Sequence, residues 1–227
     1  MYLVFILYGA AVLSPWNVVS SCFDYFLLFD ASKSDGSLIS IYTFGTNFLQ
    51  VAGMCFVFIK GRDISYDIRI SGFLVIIGFI LLIIPFVAAI GGHLGFWLTF
   101  CVLTVLGFCN GVAQASVFGL AGGMPFRFMA GVMLGNGLSG IVCNCMRGIT
   151  LKAFPPVVGK EKDAAFKSAL IFFMIAVIFL WFCAILMHVF LKKNECYLYH
   201  FARMVENTSL IPEADTESSG EFAIGTS

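Results

Sequence analysis

The chain has 227 residues, of which 60% are hydrophobic and 11% charged, with a mean hydropathy of +0.97. A soluble domain carries about 25% charged residues and has too little interior to hide this much apolar surface, so a water-soluble fold is excluded and an integral membrane protein implied. The formal net charge is zero, which offers no electrostatic footprint for a nucleic-acid partner.

A membrane span needs about 20 mostly apolar residues. Six segments qualify, at about 2–26, 38–59, 70–91, 94–122, 129–154 and 164–191. The expected architecture is an all-α polytopic bundle over residues 1–191. A polar tail follows at 192–227, read as cytoplasmic and disordered beyond about 207. Met1 is followed at once by apolar residues with no charged leader, so the first span is expected to be retained rather than cleaved. Lys and Arg in the joints are more numerous on the side that shares the two termini: Lys60, Arg62, Arg69, Arg127, Lys192, Lys193 and Arg203 against Lys33, Lys152, Lys160, Lys162 and Lys167. This asymmetry points to cytoplasmic N- and C-termini, with the sequon at Asn207 left bare.

Polar residues inside spans are costly in hydrocarbon and mark functional candidates. The first span holds "LSPWNVVSSCFDYF". Pro15 removes a backbone donor, frees the carbonyl near Ala11 and is expected to bend the helix. Leu13, Trp16 and Ser20 share one face, and Asn17, Ser21 and Asp24 form a second stripe beside it. Asn17 is expected to tie the bend to a neighbouring helix. In the second span Thr43, Asn47 and Gln50 make a weaker polar face.

The fourth span reads "LGFCNGVAQASVFGLAGG". Asn110 and Gln114 lie one turn apart, and Gly107-x-x-x-Gly111 permits close approach by a neighbouring backbone. In the fifth, "GVMLGNGLSGIVCNCMRGIT", Gly131-x-x-x-Gly135 repeats that pattern and Gly140 adds to it. Asn136, Ser139, Cys143 and Arg147 draw a polar stripe. Arg147 is the one charge well inside a span. It can snorkel outward, or line a path and pair with an acid or a carbonyl.

The eight cysteines stand singly, apart from Cys143 and Cys145, so neither a disulfide framework nor a metal site is expected. There is no HExxH and no pair of intramembrane aspartates, and His93, His188 and His200 fall at span ends or in the tail. An enzyme is not expected, and neither is a cofactor. No charged ring motif supports a channel.

Three separated motifs, in order, carry a resemblance. "LSPWNVVSSCFDYF" resembles the first-span signature of the equilibrative nucleoside transporter family, "NGVAQASVFGLAGGMP" its fourth span, and "GNGLSG" with a following Arg its fifth. "KNECYLYHFARM" is similar to its exit from the sixth span. The likeness covers about residues 5–204 and corresponds to the first six of the family's eleven spans. It implies the amino-terminal bundle of a major-facilitator-type fold and facilitative, ion-uncoupled passage of nucleosides or nucleobases across a membrane, the plasma membrane being expected. A second bundle or a homo-oligomer is implied as partner.

The resemblance further implies that Leu13, Trp16 and Ser20 line a cavity and that Gln114 reads the base edge. Asn110, beside Gln114, and Arg147 complete the expected substrate site; Pro15, Asn17, Gly111, Gly135 and Gly140 are expected to be structural. The competing expectation is a non-transporting membrane subunit or assembly partner that keeps the half-fold.

Overall fold

A computed structural model of the chain describes residues 1–29, 35–61, 64–155 and 161–186, with scattered positions between 189 and 203. The tail beyond 203, the sequon at Asn207 and half of "KNECYLYHFARM" lie outside the described residues. The described residues form helices with no strand among them.

Six stretches are long and apolar enough to cross a membrane: Tyr2–Phe29, Ser37–Lys60, Ile68–Ile90, Gly92–Gly122, Phe126–Ala153 and Glu161–Leu186. Helices suit this setting because they satisfy their backbone groups internally. Hydroxyls inside the spans follow the same logic: Thr46, Thr104 and Ser116 each donate to the carbonyl four residues back.

The first span is two helices, α1 (Tyr2–Ser20) and α2 (Phe23–Phe29). α1 stays helical through Pro15, and the interruption falls further on, at Ser21 and Cys22. The second span is α3 (Asp35–Lys60). The third opens with a π-helical turn, Ile68–Gly72, and continues as α4 (Phe73–Ile90). Arg69, counted among the loop charges from sequence, sits in that turn. It is only 5% exposed, with its guanidinium 4.3 Å from the Tyr66 ring centroid, a cation–π placement. Its Nη1 lies over Gly61, just past the end of α3, where the negative end of a helix favours a cation.

α4 runs into α5 (Gly92–Gly122) through Gly91 and Gly92, at φ +66° and +64°. That is the left-handed region, which glycine adopts without a Cβ clash. The fifth and sixth spans are α6 (Phe126–Ala153) and α7 (Glu161–Leu186).

The packing follows a definite order. α3 lies along α5 and α6 along α1; α4 bridges α5 to α7; and α1 meets both α5 and α7. The first span and α5 are thus the most buried, while α3 and α6 flank them and are the least. Gly78 leaves room for the Trp181 indole, which joins α4 to α7. Ser71 Oγ and Trp181 Nε1 add bonds to the Ala184 and Val75 carbonyls.

Candidate functional site

Two helix pairs, α1 with α6 and α3 with α5, carry most of the intramembrane polar chemistry. Both pairs are built on glycine. In the first, a Cβ on Gly9 would collide with the Val132 carbonyl, and one on Gly135 with the Ile6 carbonyl. In the second, a Cβ on Gly107 would meet the Thr46 carbonyl, one on Gly111 the Gln50 carbonyl and one on Gly53 the Phe108 carbonyl. Backbone therefore lies directly on backbone, as small residues allow in a bilayer. Gly140 is looser: the nearest atom to a Cβ there is Asn17 Nδ2, at 3.8 Å.

Along the first pair the two polar stripes interlock. Asn17 Nδ2 donates to Ser139 Oγ at 3.1 Å, and Ser21 Oγ to Asn144 Oδ1 at 3.0 Å. Arg147 Nη2 meets Asp24 Oδ2 at 2.7 Å. The sequence separations are 122, 123 and 123, so the first span and α6 run parallel in constant register. Ser14 Oγ and Cys143 Sγ stand 4.0 Å apart on the same seam.

Arg147 is 4% exposed. Besides Asp24 it donates from Nη1 to Ser168 Oγ at 3.1 Å, and its guanidinium lies 5.9 Å from the Phe172 ring centroid. It therefore joins α2, α6 and α7. The Asp24 side chain is half exposed, so the pair has one buried and one open end.

Along the second pair, Gln50 Nε2 donates to Gln114 Oε1 at 2.7 Å. Both side chains are half-buried. Asn110, one turn before Gln114, is 3% exposed, and its Oδ1 is buried without a partner among the described residues. The Asn136 Oδ1 on α6 is in the same condition. Unpaired buried acceptors are rare enough in proteins to call for a reason.

On α1, Leu13, Trp16 and Ser20 are all half-buried. The Trp16 ring sits edge-on to Phe23, with centroids 6.4 Å apart. Ser20 Oγ bonds its own helix at the Asn17 carbonyl, which occupies its proton. Pro15 is buried. The structure thus brings Gln114 to Gln50, Gly111 to the Gln50 backbone, Gly135 to α1, and Arg147 to Asp24. Trp16 and Ser20 make their contacts with Phe23 and the Asn17 carbonyl within their own span.

From sequence alone Gln50 belongs to a weaker polar face, and Asp24 stands out only as part of a stripe. The signal for Asp24 was present, as an acid inside a span whose partner helix carries a lone Arg. For Ser168 no sequence signal stands out. Among the described residues no group of three His, Cys, Asp or Glu could hold a metal.

The fold and this site define a class: a multi-pass helical membrane protein with a polar interior held by close helix pairs. Residues 100–225 match the family model described as "Nucleoside transporter". The chain is 26% identical over 227 residues to equilibrative nucleotide transporter 1 of Arabidopsis thaliana, across 95% of this chain and 47% of that protein. It is 25% identical over 160 residues to equilibrative nucleotide transporter 8 of the same plant, across 68% of this chain and 40% of that protein. The chain belongs to the nucleoside transporter family. It spans about half the length of the curated relatives it matches.

Proposed function

We propose that the chain forms the amino-terminal bundle of a facilitative carrier for nucleosides or nucleobases, working with a second bundle supplied by further sequence or by a partner copy. The observation that carries this reading is the half-buried amide pair between Gln50 on α3 and Gln114 on α5, the latter a helix that packs against the span bearing Trp16. An amide can donate to and accept from a flat heterocycle, and an indole offers such a ring an apolar wall. Leu13, Ser20 and Asn110 complete the contact set. Arg147 has its charge met by Asp24, and we assign it to holding helices rather than to substrate.

Charge supports an uncharged substrate. Of the two buried arginines, Arg147 has its charge met by Asp24, and Arg69 lies over Tyr66 in the turn that opens the third span; we assign neither to a phosphate. It also supports uncoupled transport. Proton-driven carriers use titrating intramembrane acids, and Asp24, the carboxylate near the end of the first span, is paired with Arg147. We assign both termini to the cytoplasm on the distribution of Lys and Arg, and the plasma membrane on the family resemblance alone.

The test is saturable binding of radiolabelled adenosine or hypoxanthine to the reconstituted chain. Binding is expected to fall at least tenfold in Trp16→Ala and in Gln114→Ala, a loss of about 1.4 kcal/mol or more. Adenosine is expected to compete at least ten times better than AMP. Absence of binding, or equal competition by AMP, would overturn the reading of an uncharged nucleoside site.

A further inference from the structure

We propose that Gln50 sets which edge of a heterocycle the site accepts, by locking the amide of Gln114. The inference rests on the proposed role of Gln114 in contacting the base.

A glutamine amide has one carbonyl acceptor and one NH2 donor group. Free to rotate, it can present either. Here Gln50 Nε2 donates to Gln114 Oε1 at 2.7 Å, the short end of the N–H···O range. That bond takes one lone pair of the Gln114 carbonyl and fixes the orientation of its amide. The Gln114 NH2 and the Gln50 carbonyl oxygen stay uncommitted; neither group has another partner among the described residues.

The lock is held from below by backbone. Gly107 lies against the Thr46 carbonyl, Gly111 against the carbonyl of Gln50 itself and Gly53 against that of Phe108. α3 cannot slide or roll along α5 without driving these atoms into one another. Both amides are half-buried: shielded enough for the bond to persist, open enough to meet a ligand.

Two consequences follow for the ligand. It must bring an acceptor, a ring nitrogen or a carbonyl oxygen, to the Gln114 NH2. A ligand with a C–H in that place leaves a fixed donor unpaired, and sites built to hydrogen-bond reject analogues that lack the partner. Without Gln50 the Gln114 amide can turn its carbonyl toward the C–H, and the rejection fades. Gln50 is thus a positioning residue for selectivity.

The experiment measures binding of adenosine and of 1-deaza-, 3-deaza- and 7-deazaadenosine to the full chain in lipid nanodiscs, unsubstituted and as Gln50→Met. Methionine keeps the length and volume of the side chain and removes its polar atoms. One of the three analogues is expected to bind the unsubstituted chain roughly five- to tenfold more weakly than adenosine, the value of one hydrogen bond. In Gln50→Met that ratio is expected to fall below about twofold. A purely structural role for Gln50 would weaken all four ligands by one common factor and leave the ratio intact, which overturns the proposal. So does equal binding of all four by the unsubstituted chain. Gln50→Leu serves the same comparison should the methionine variant not fold. Failure of the unsubstituted chain to bind adenosine at all strikes the functional reading itself, before any variant is compared.

Discussion

The α1–α6 and α3–α5 pairs use the same device to bring backbones together and then diverge in what they do with polar side chains. Both place glycines against carbonyls of the facing helix, and both run parallel. The α1–α6 seam then consumes its polar groups on itself: Asn17 with Ser139, Ser21 with Asn144, and Asp24 with Arg147. The α3–α5 seam makes one amide bond, Gln50 to Gln114, and leaves an amide donor and carbonyl acceptors unspent. The difference separates two jobs that an intramembrane polar residue can have. A stripe bonded across the seam at three points, as here with Asn136 Oδ1 left over, fixes register, whereas one with a single bond keeps more chemistry available for something else. This is why Arg147, the most conspicuous polar residue in the sequence, is assigned to structure, and the less conspicuous Gln50 to the site.

The largest expected effect breaks the α1–α6 seam at its charged end. Asp24→Asn leaves Arg147 buried with Ser168 but without a counter-charge. Removing one partner of a buried ion pair costs about 3–5 kcal/mol, and the half-exposed Asp24 argues for about 3. Thermal unfolding in detergent should show the loss. The double variant Asp24→Asn/Arg147→Met should recover most of it, because a buried pair replaced by apolar groups is close to neutral. If Asp24→Asn unfolds at the temperature of the unsubstituted protein, the pair holds nothing.

A smaller effect is expected from the shared device. Gly135→Ala and Gly111→Ala each push a methyl into a carbonyl of the facing helix, an overpacking cost of about 1–3 kcal/mol. The two should destabilise alike if backbone contact is equivalent in both seams. Only Gly111→Ala should also disturb adenosine binding, since it displaces the backbone of Gln50. Binding lost equally in both variants would erase the proposed division of labour. Gly137→Ala and Gly148→Ala are the controls, with open space around both positions.

The six spans were legible because bilayer thickness imposes a length and a composition that few other constraints mimic. Close packing at Gly107, Gly111 and Gly135 was legible as a spacing, although the carbonyls it receives were not. The stripes on α1 and α6 could be seen singly from their periodicity. Their partnership could not, because which stripe faces which is a tertiary fact. Gln50 was undervalued because sequence grouped it with Asn47, which is exposed, and Thr43, which is half-buried; of the three it is Gln50 whose side chain hydrogen-bonds to α5. Arg69 was misplaced for a different reason. Neighbouring charges make its segment read as a loop, and a single π-helical turn leaves no periodic trace in five residues.

The smallest expected effect compares one neutral hydrogen bond in each seam. Asn17→Leu removes the bond to Ser139, and Gln50→Met the bond to Gln114. Interhelical hydrogen bonds in membrane proteins average about 0.6 kcal/mol and reach about 1.7. Asn17 should lie toward the upper end, since its loss takes a partner from a Ser139 hydroxyl that is itself buried. Gln50 should lie toward the lower end, because Gln114 stays half-open and can find another partner. The two unfolding free energies, measured side by side, rank the seams by how much each bond matters to the fold alone. A larger cost for Gln50→Met than for Asn17→Leu would reverse the comparison, making α3–α5 the structural seam and leaving the polar groups of α1–α6 as the stronger candidates for substrate.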